Sequence, residues 1–237
     1  MVWALLPVKD LVKAKSRLAG ILAPHERRAL AQAMVEDVLG ALVASPDLEG
    51  VMLVSDDPGA GMLAQKYGVL SVNESTLGCQ GMNAVIGAGC ELLRERGADA
   101  IMVVHSDLPL LQERDVAQLL SCFEQHQGLV LAPDLAEDGT NIMLFASASR
   151  PRLQYGPASC RAHIEAAQSA GLQVHKVKLD TAGLDIDEPS DLLSLYARLK
   201  AGERAEHTAR LLLEGKLQQR LSVLEDDGMQ HEFGTGT

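Results

Sequence analysis

Residues 100–111 read AIMVVHSDLPLL, a run of five apolar side chains that ends abruptly in His105, Ser106 and Asp107. Ala100 to Val104 show no polar alternation, the pattern of a strand buried on both faces in a parallel sheet. Outward from it, short apolar runs alternate with longer amphipathic stretches. Strands are expected at Val2–Val8, Val51–Ser55, Val69–Val72, Ala100–His105, Leu129–Ala132, Asn141–Phe145 and Val174–Leu179. Helices are expected at Pro24–Val43, Gly59–Tyr67, Gly81–Arg96, Glu113–Glu124, Ser159–Ala170 and Pro189–Lys200. Leu129 to Phe145 reads as two strands around the polar turn Asp134–Thr140. The expected fold is α/β, with a mixed, mostly parallel sheet in a single domain spanning 1–202.

Beyond that domain, 203–224 reads as one C-terminal helix, with Leu213, Leu217, Leu221 and Leu224 at helical spacing. Packing back on the domain is the expected use of this ladder; the other is a homodimer contact. The polar, Gly-containing stretch 225–237 is expected to be a disordered tail.

The 237 residues carry 21 Lys plus Arg against 32 Asp plus Glu, a net charge of −11. That balance argues against a nucleic-acid partner or an acidic membrane surface. With aromatics at 3%, base-stacking platforms are excluded as well. The four cysteines form no CxxC pair, so reduced thiols are expected. MVWALLPVKD has no basic leader and no apolar run reaches the roughly 20 residues of a membrane span. A soluble cytoplasmic protein is expected.

Against this acidic background, Lys9, Lys13, Lys15 and Arg17 fall within nine positions directly after the first strand. In open α/β sheets ligands bind beyond the carboxyl ends of strands, so a cationic loop there suits a polyphosphate. No GxxxxGK[ST] loop is present, and Gly59-Ala60-Gly61 behind Asp57-Pro58 reads as a capped helix start. Asp107, at the end of the central strand, is placed to hold a divalent cation against phosphate oxygens. His105, two residues earlier, could share that face, but a buried structural histidine is the preferred reading. In Leu184-Asp185-Ile186-Asp187-Glu188-Pro189, the two aspartates share one face of an extended segment. Adjacent carboxylates repel unless a cation lies between them, so this pair is a second candidate metal element. Asp138-Gly139-Thr140-Asn141 and Tyr155-Gly156-Pro157-Ala158-Ser159 are loops with exposed amides, Ser159 reading as a helix cap that could face an anion. No GxSxG elbow or Cys/His pair supports nucleophilic catalysis.

PVKDLVKAKSRL, the Gly81-Met82-Asn83-Ala84 helix start, SDLPLL, DGTN, YGPAS and LDIDEPSDL occur in the order found in the 2-phospholactate guanylyltransferase family. This family of deazaflavin coenzyme biosynthesis includes phosphoenolpyruvate and 3-phosphoglycerate guanylyltransferases, and the resemblance spans about residues 2–200. It implies a nucleotide-diphospho-sugar transferase-like fold. It also implies a reaction joining GTP to a small phosphorylated carboxylic acid, 2-phospholactate, phosphoenolpyruvate or 3-phosphoglycerate, with release of pyrophosphate. By the same resemblance, Asp107, Asp185 and Asp187 would hold Mg²⁺, and Thr140, Gly156 and Ser159 would contact the acid. Lys9, Lys15 and Arg17 would lie near the triphosphate and act with Asp107 in catalysis, with Gly81 and Asn83 at the nucleotide. Glu74 is the candidate reader of guanine. The family often has Gly-Ser-Phe where this chain has Ala158-Ser159-Cys160, and Leu in place of Met82. A metal-dependent sugar-nucleotide glycosyltransferase and a non-catalytic nucleotide-binding protein are the alternative readings.

Overall fold

A computed structural model describes residues 1–233, with side chains through residue 225. Its centre is a seven-stranded sheet: β1 (Val2–Pro7), β2 (Leu48–Val54), β3 (Leu70–Val72), β4 (Ala100–Val104), β5 (Leu129–Pro133), β6 (Thr140–Ala146) and β7 (Val174–Lys176). The strand order is β3-β2-β1-β4-β6-β5-β7. All pairs are parallel except those made by β6, which runs antiparallel to both β4 and β5. The hairpin expected across 129–145 is present, and it makes the sheet mixed. The last strand is shorter than expected, stopping at Lys176.

Eight helices among the described residues cover the sheet: α1 (Pro24–Ala44), α2 (Pro58–Tyr67), α3 (Met82–Glu95), α4 (Glu113–His126), α5 (Ser159–Ser169), α6 (Pro189–Lys200), α7 (Glu206–Leu212) and α8 (Gly215–Phe233). Side chains alternate across the strands. Ala4, Leu6, Met102 and Val104 pack with Val38 and Leu42 of α1 and Leu119 of α4 on one face. Leu5, Ile101 and Val103 pack with Val85, Ile86 and Leu93 of α3 on the other. Because β4 is buried on both faces, its residues have no polar period. Among the described residues, no helix is long and apolar enough to cross a membrane.

The C-terminal segment differs from the single helix expected. It breaks into α7 and α8, with Gly215 in the left-handed region at φ 68°. The leucine ladder runs across this break, which hides it from a periodicity reading. α7 begins without a side-chain cap of its own; Asp37 of α1 supplies one, accepting from the amides of His207 and Thr208, both at 2.9 Å. Leu217 and Leu221 are buried against α6 and the 16–22 segment, in a cluster with Leu18, Leu22 and Leu195. A fully buried leucine contributes on the order of 2 kcal/mol, so the ladder is spent within the chain. The backbone of α8 extends to Phe233, into the stretch expected to be a disordered tail; 234–237 lie outside the described residues.

Candidate active site

The parallel pair β1 and β4 ends at the same sheet edge where the antiparallel β6 begins. A cavity of about 450 Å³ opens there, walled by Lys9, Lys13 and Lys15 after β1 and by His105, Ser106 and Asp107 after β4. Thr140 and Asn141, Tyr155, Gly156 and Ser159, and Asp185 with Asp187 complete it. The lysine loop is pinned from behind: Leu11 N–H donates to Asp57 Oδ2 at 2.9 Å, and Asp57 Oδ1 caps α2 through Gly59 and Ala60. The GAG segment is thus a capped helix start, as its sequence indicates.

Lys15 sits at the electrostatic centre. Its Nζ lies 2.6 Å from Asp107 Oδ2 and 2.9 Å from Asp187 Oδ1, joining residues 92 and 172 positions away in the chain. Burial works against its charge, but the two carboxylates outweigh that and push its pKa up to about 12. Burial raises the Asp107 carboxyl, but Lys15 outweighs this and holds it below the usual range. Asp185 has no such cation. Burial, then the neighbouring Asp107 charge, push it up to about 6, while Asn141 Nδ2 reaches Oδ1 at 3.4 Å. The same Asn141 amide donates to the carbonyl of Ala182 at 2.9 Å, tying the aspartate loop to β6.

The alternation read from LDIDE is present: Leu184 and Ile186 are buried in the core, and Asp185 and Asp187 face the cavity. Helix capping does not consume these acids. Asp191 Oδ2 accepts from the amides of Asp187 and Glu188 at the start of α6. Likewise α4 is capped by Asp115, leaving Asp107 free of that duty.

The opposite wall is built from the β5–β6 hairpin and α5. Thr140 and Ser159 are almost wholly buried yet line the cavity. Ser159 is not the cap of α5: Ala158 is, in the left-handed conformation at φ 55°, and Ser159 is the first helical residue. The turn is held by Asp138, whose Oδ2 accepts from Ala158 N–H at 3.2 Å and whose carbonyl accepts from Cys160 N–H at 2.9 Å. A left-handed non-glycine residue costs about 1–2 kcal/mol, so Ala158 stands where glycine would be conformationally easiest.

Two expected nucleotide contacts are placed differently. Asn83 uses its amide on the main chain of Tyr155, accepting from its N–H at 2.7 Å and donating to its carbonyl at 3.1 Å. It holds the Tyr155–Ser159 loop and does not line the cavity. Arg17 lies outside the cavity wall and pairs with Glu188 at 3.2 Å. Lys9 remains without an ion-pair partner among the described residues and lines both this cavity and an adjoining one of about 700 Å³. The second cavity also contains Gly81 and Glu74 and has apolar walls from Pro7, Val12, Met82 and Val85.

Three residues have roles that the sequence reading did not assign them. His105 is part of the cavity wall rather than purely structural, its ring 5.2 Å from that of Tyr155 and its Nε2 without a hydrogen-bond partner. Asn141 positions the aspartate loop. His163 on α5 lies behind Thr140, 3.0 Å from its hydroxyl. The LDID alternation pointed toward the site, but no local signal marked a histidine 23 positions beyond the threonine it contacts. Among the described residues no three His, Cys, Asp or Glu side chains form a ready metal cage.

The fold has counterparts among solved structures. A crystal structure from Desulfovibrio desulfuricans, described as that of a nucleotide-diphospho-sugar transferase, superposes with TM-score 0.74 at 19% identity, covering 94% of this chain and 97% of that one. CMP:2-keto-3-deoxy-manno-octonic acid synthetase bound to CTP superposes with TM-score 0.58 at 14% identity, covering 84% and 98%. These likenesses establish a nucleotide-diphospho-sugar transferase-like fold. Sequence relatives are nearer. The phosphoenolpyruvate guanylyltransferase of Conexibacter woesei is 36% identical over 213 residues, 89% of this chain and 94% of the relative. That of Rubrobacter xylanophilus is 34% identical over 209 residues, covering 88% and 98%. Residues 2–218 match the family described as "Guanylyl transferase CofC like", a span that includes every cavity residue. With fold, motif order and near full-length relatives in agreement, this chain is a nucleotidyltransferase and belongs to the CofC-like guanylyl transferase family.

Proposed function

We propose that the chain joins GTP to phosphoenolpyruvate and releases pyrophosphate, within deazaflavin coenzyme biosynthesis. The observation that carries this reading is the convergence of Asp107 and Asp187 on Lys15 at one wall of a cavity whose other wall presents Thr140, Gly156 and Ser159. One wall offers charge for a triphosphate; the other offers hydroxyl and amide donors for a small acid. The choice of phosphoenolpyruvate rests on the activity carried in the names of the two relatives.

A phosphate oxygen of the acid is already anionic at neutral pH and attacks the α-phosphorus of GTP without a general base. The new P–O bond forms as the bond to the β-phosphate oxygen breaks, and pyrophosphate leaves with the electron pair. What the protein contributes is positioning and charge. Lys9 and Lys15 face the triphosphate, Arg17 stands at the rim, and Gly81 lies in the adjoining cavity. Glu74 there is the candidate for reading guanine, and Asn83 acts through the loop it holds.

The acidic residues supply the carboxylate oxygens that a hard divalent cation takes, although Lys15 bridges Asp107 and Asp187 in this structure. Asp107 Oδ1 is buried without a partner, and Asp185 is a carboxyl whose ionisation is opposed by its neighbour. Asp107, Asp185 and Asp187 would hold the ion, and Mg²⁺ characteristically takes one or two carboxylates and completes its shell with water and phosphate oxygens. When bound, it would neutralise charge on the phosphates and the departing pyrophosphate. The four free thiols suit a cytoplasmic location.

The test is an assay with GTP, Mg²⁺ and, separately, phosphoenolpyruvate, 2-phospholactate and 3-phosphoglycerate, followed for pyrophosphate. Phosphoenolpyruvate should give the highest kcat/KM. Asp107→Asn and Asp187→Asn should nearly abolish release while the circular dichroism spectrum is kept. Turnover unchanged in both variants, or release of a nucleoside diphosphate, would overturn the reading.

A further inference from the structure

His163 is wholly buried on α5, and the mechanism above makes no use of it. Its two ring nitrogens are both engaged, which fixes the proton. Gln154 N–H can only donate, and it lies 2.8 Å from Nε2, so Nε2 carries no hydrogen. Burial favours the neutral ring, lowering the pKa to about 4, so the single proton resides on Nδ1. Nδ1 lies 3.0 Å from Thr140 Oγ1 and therefore donates to it. Having accepted there, the Thr140 hydroxyl keeps its own proton. It makes no other hydrogen bond among the described residues, and Thr140 lines the cavity.

We infer that His163 is a positioning residue: it fixes Thr140 as a hydrogen-bond donor toward the cavity, selecting an acceptor-only group, the substrate carboxylate. The inference rests on the proposed use of Thr140 at the acid. Gln154 sets the direction of the relay because a main-chain amide cannot reverse its role, and Gln154 is itself held to α5 by Nε2 donating to the Ala162 carbonyl at 3.0 Å. Tyr155 closes the relay from the side, its ring edge-on to the imidazole at 4.7 Å.

The experiment uses phosphoenolpyruvate as substrate and vinyl phosphate, which lacks the carboxylate, as competing inhibitor. His163→Phe should raise KM for phosphoenolpyruvate about tenfold while leaving KM for GTP and Ki for vinyl phosphate unchanged. His163→Asn, which restores a donor near the Nδ1 position, should bring KM back to within about threefold of the parent. In a Thr140→Val background, His163→Phe should add nothing. Effects that multiply in the double variant, or that fall equally on GTP, would overturn the inference. Nitrogen-15 NMR of the unmodified chain gives a readout independent of turnover and of variant folding. It should show the neutral Nδ1–H form of His163, and an Nε2–H form would refute the relay. A parent chain that makes no pyrophosphate with any of the three acids sinks the proposed reaction, while the NMR result still judges His163.

Discussion

Asn83 and Tyr155, 72 residues apart, are joined by two hydrogen bonds that use the side-chain amide of one and both main-chain groups of the other. The pairing resembles a piece of strand pairing made by one side chain. It ties the first turn of α3 to the loop bearing Gly156, so the two segments are held in one fixed relation beside the cavity.

Asn83→Ala removes both bonds. Each neutral bond contributes about 0.5–1.5 kcal/mol, so loss of both should lower stability by about 1–3 kcal/mol in urea denaturation. The larger effect should be kinetic: a several-fold rise in KM for the acid as the loop loses its anchor. Asn83→Asp keeps the acceptor and loses the donor, and should fall between the two.

Lys15 combines charge with conformation. Its φ of 56° is left-handed, a region costly for any residue that carries a Cβ, at the residue that bridges Asp107 and Asp187. Lys15→Met should lower kcat by about 10²–10³-fold, the usual scale for losing a charge donor at a developing anion. Lys15→Gly should be equally inactive yet about 1 kcal/mol more stable than Lys15→Met, because glycine relieves the backbone. Equal stability of the two variants in thermal melts would show that the strain is not borne by this residue.

His163 also predicts a pH dependence of stability. Its folded pKa, lowered by burial to about 4, lies below the ordinary value of 6.5. The unfolded chain therefore binds more protons between those values, so stability is fully present above about pH 6.5, declines as the pH falls, and levels off below about pH 4. The shift corresponds to about 3 kcal/mol. The groups facing the ring are Thr140, Gln154 and Tyr155, with His105 beyond Tyr155, so no carboxylate offsets the penalty. His163→Phe should be less stable than the parent at pH 7.5, and the gap should narrow steadily toward pH 4.5 in urea titrations.

What the sequence disclosed was what local chemistry dictates. The uninterrupted apolar run of β4 follows from burial on both faces, and the turning of Asp185 and Asp187 toward the cavity follows from their alternation with Leu184 and Ile186. Contacts across long separations leave no local period. The Asp37 cap on α7 spans about 170 residues, Arg17 meets Glu188 across 171, and His163 is silent until Thr140 is placed against it. Ser159 was misread as a cap because Ala158, a residue with no capping side chain, occupies that place through its backbone.

The reversed direction of β6 has a further consequence. It delivers the beginning of a strand to an edge otherwise made of strand ends, so the wall bearing Thr140 and Ser159 belongs to one hairpin and one helix while the lysine wall follows β1 and β4. The two walls come from separate elements of the fold. On the proposed reaction, changes in the hairpin and α5 would retune which small acid is accepted while the lysine loop stays intact.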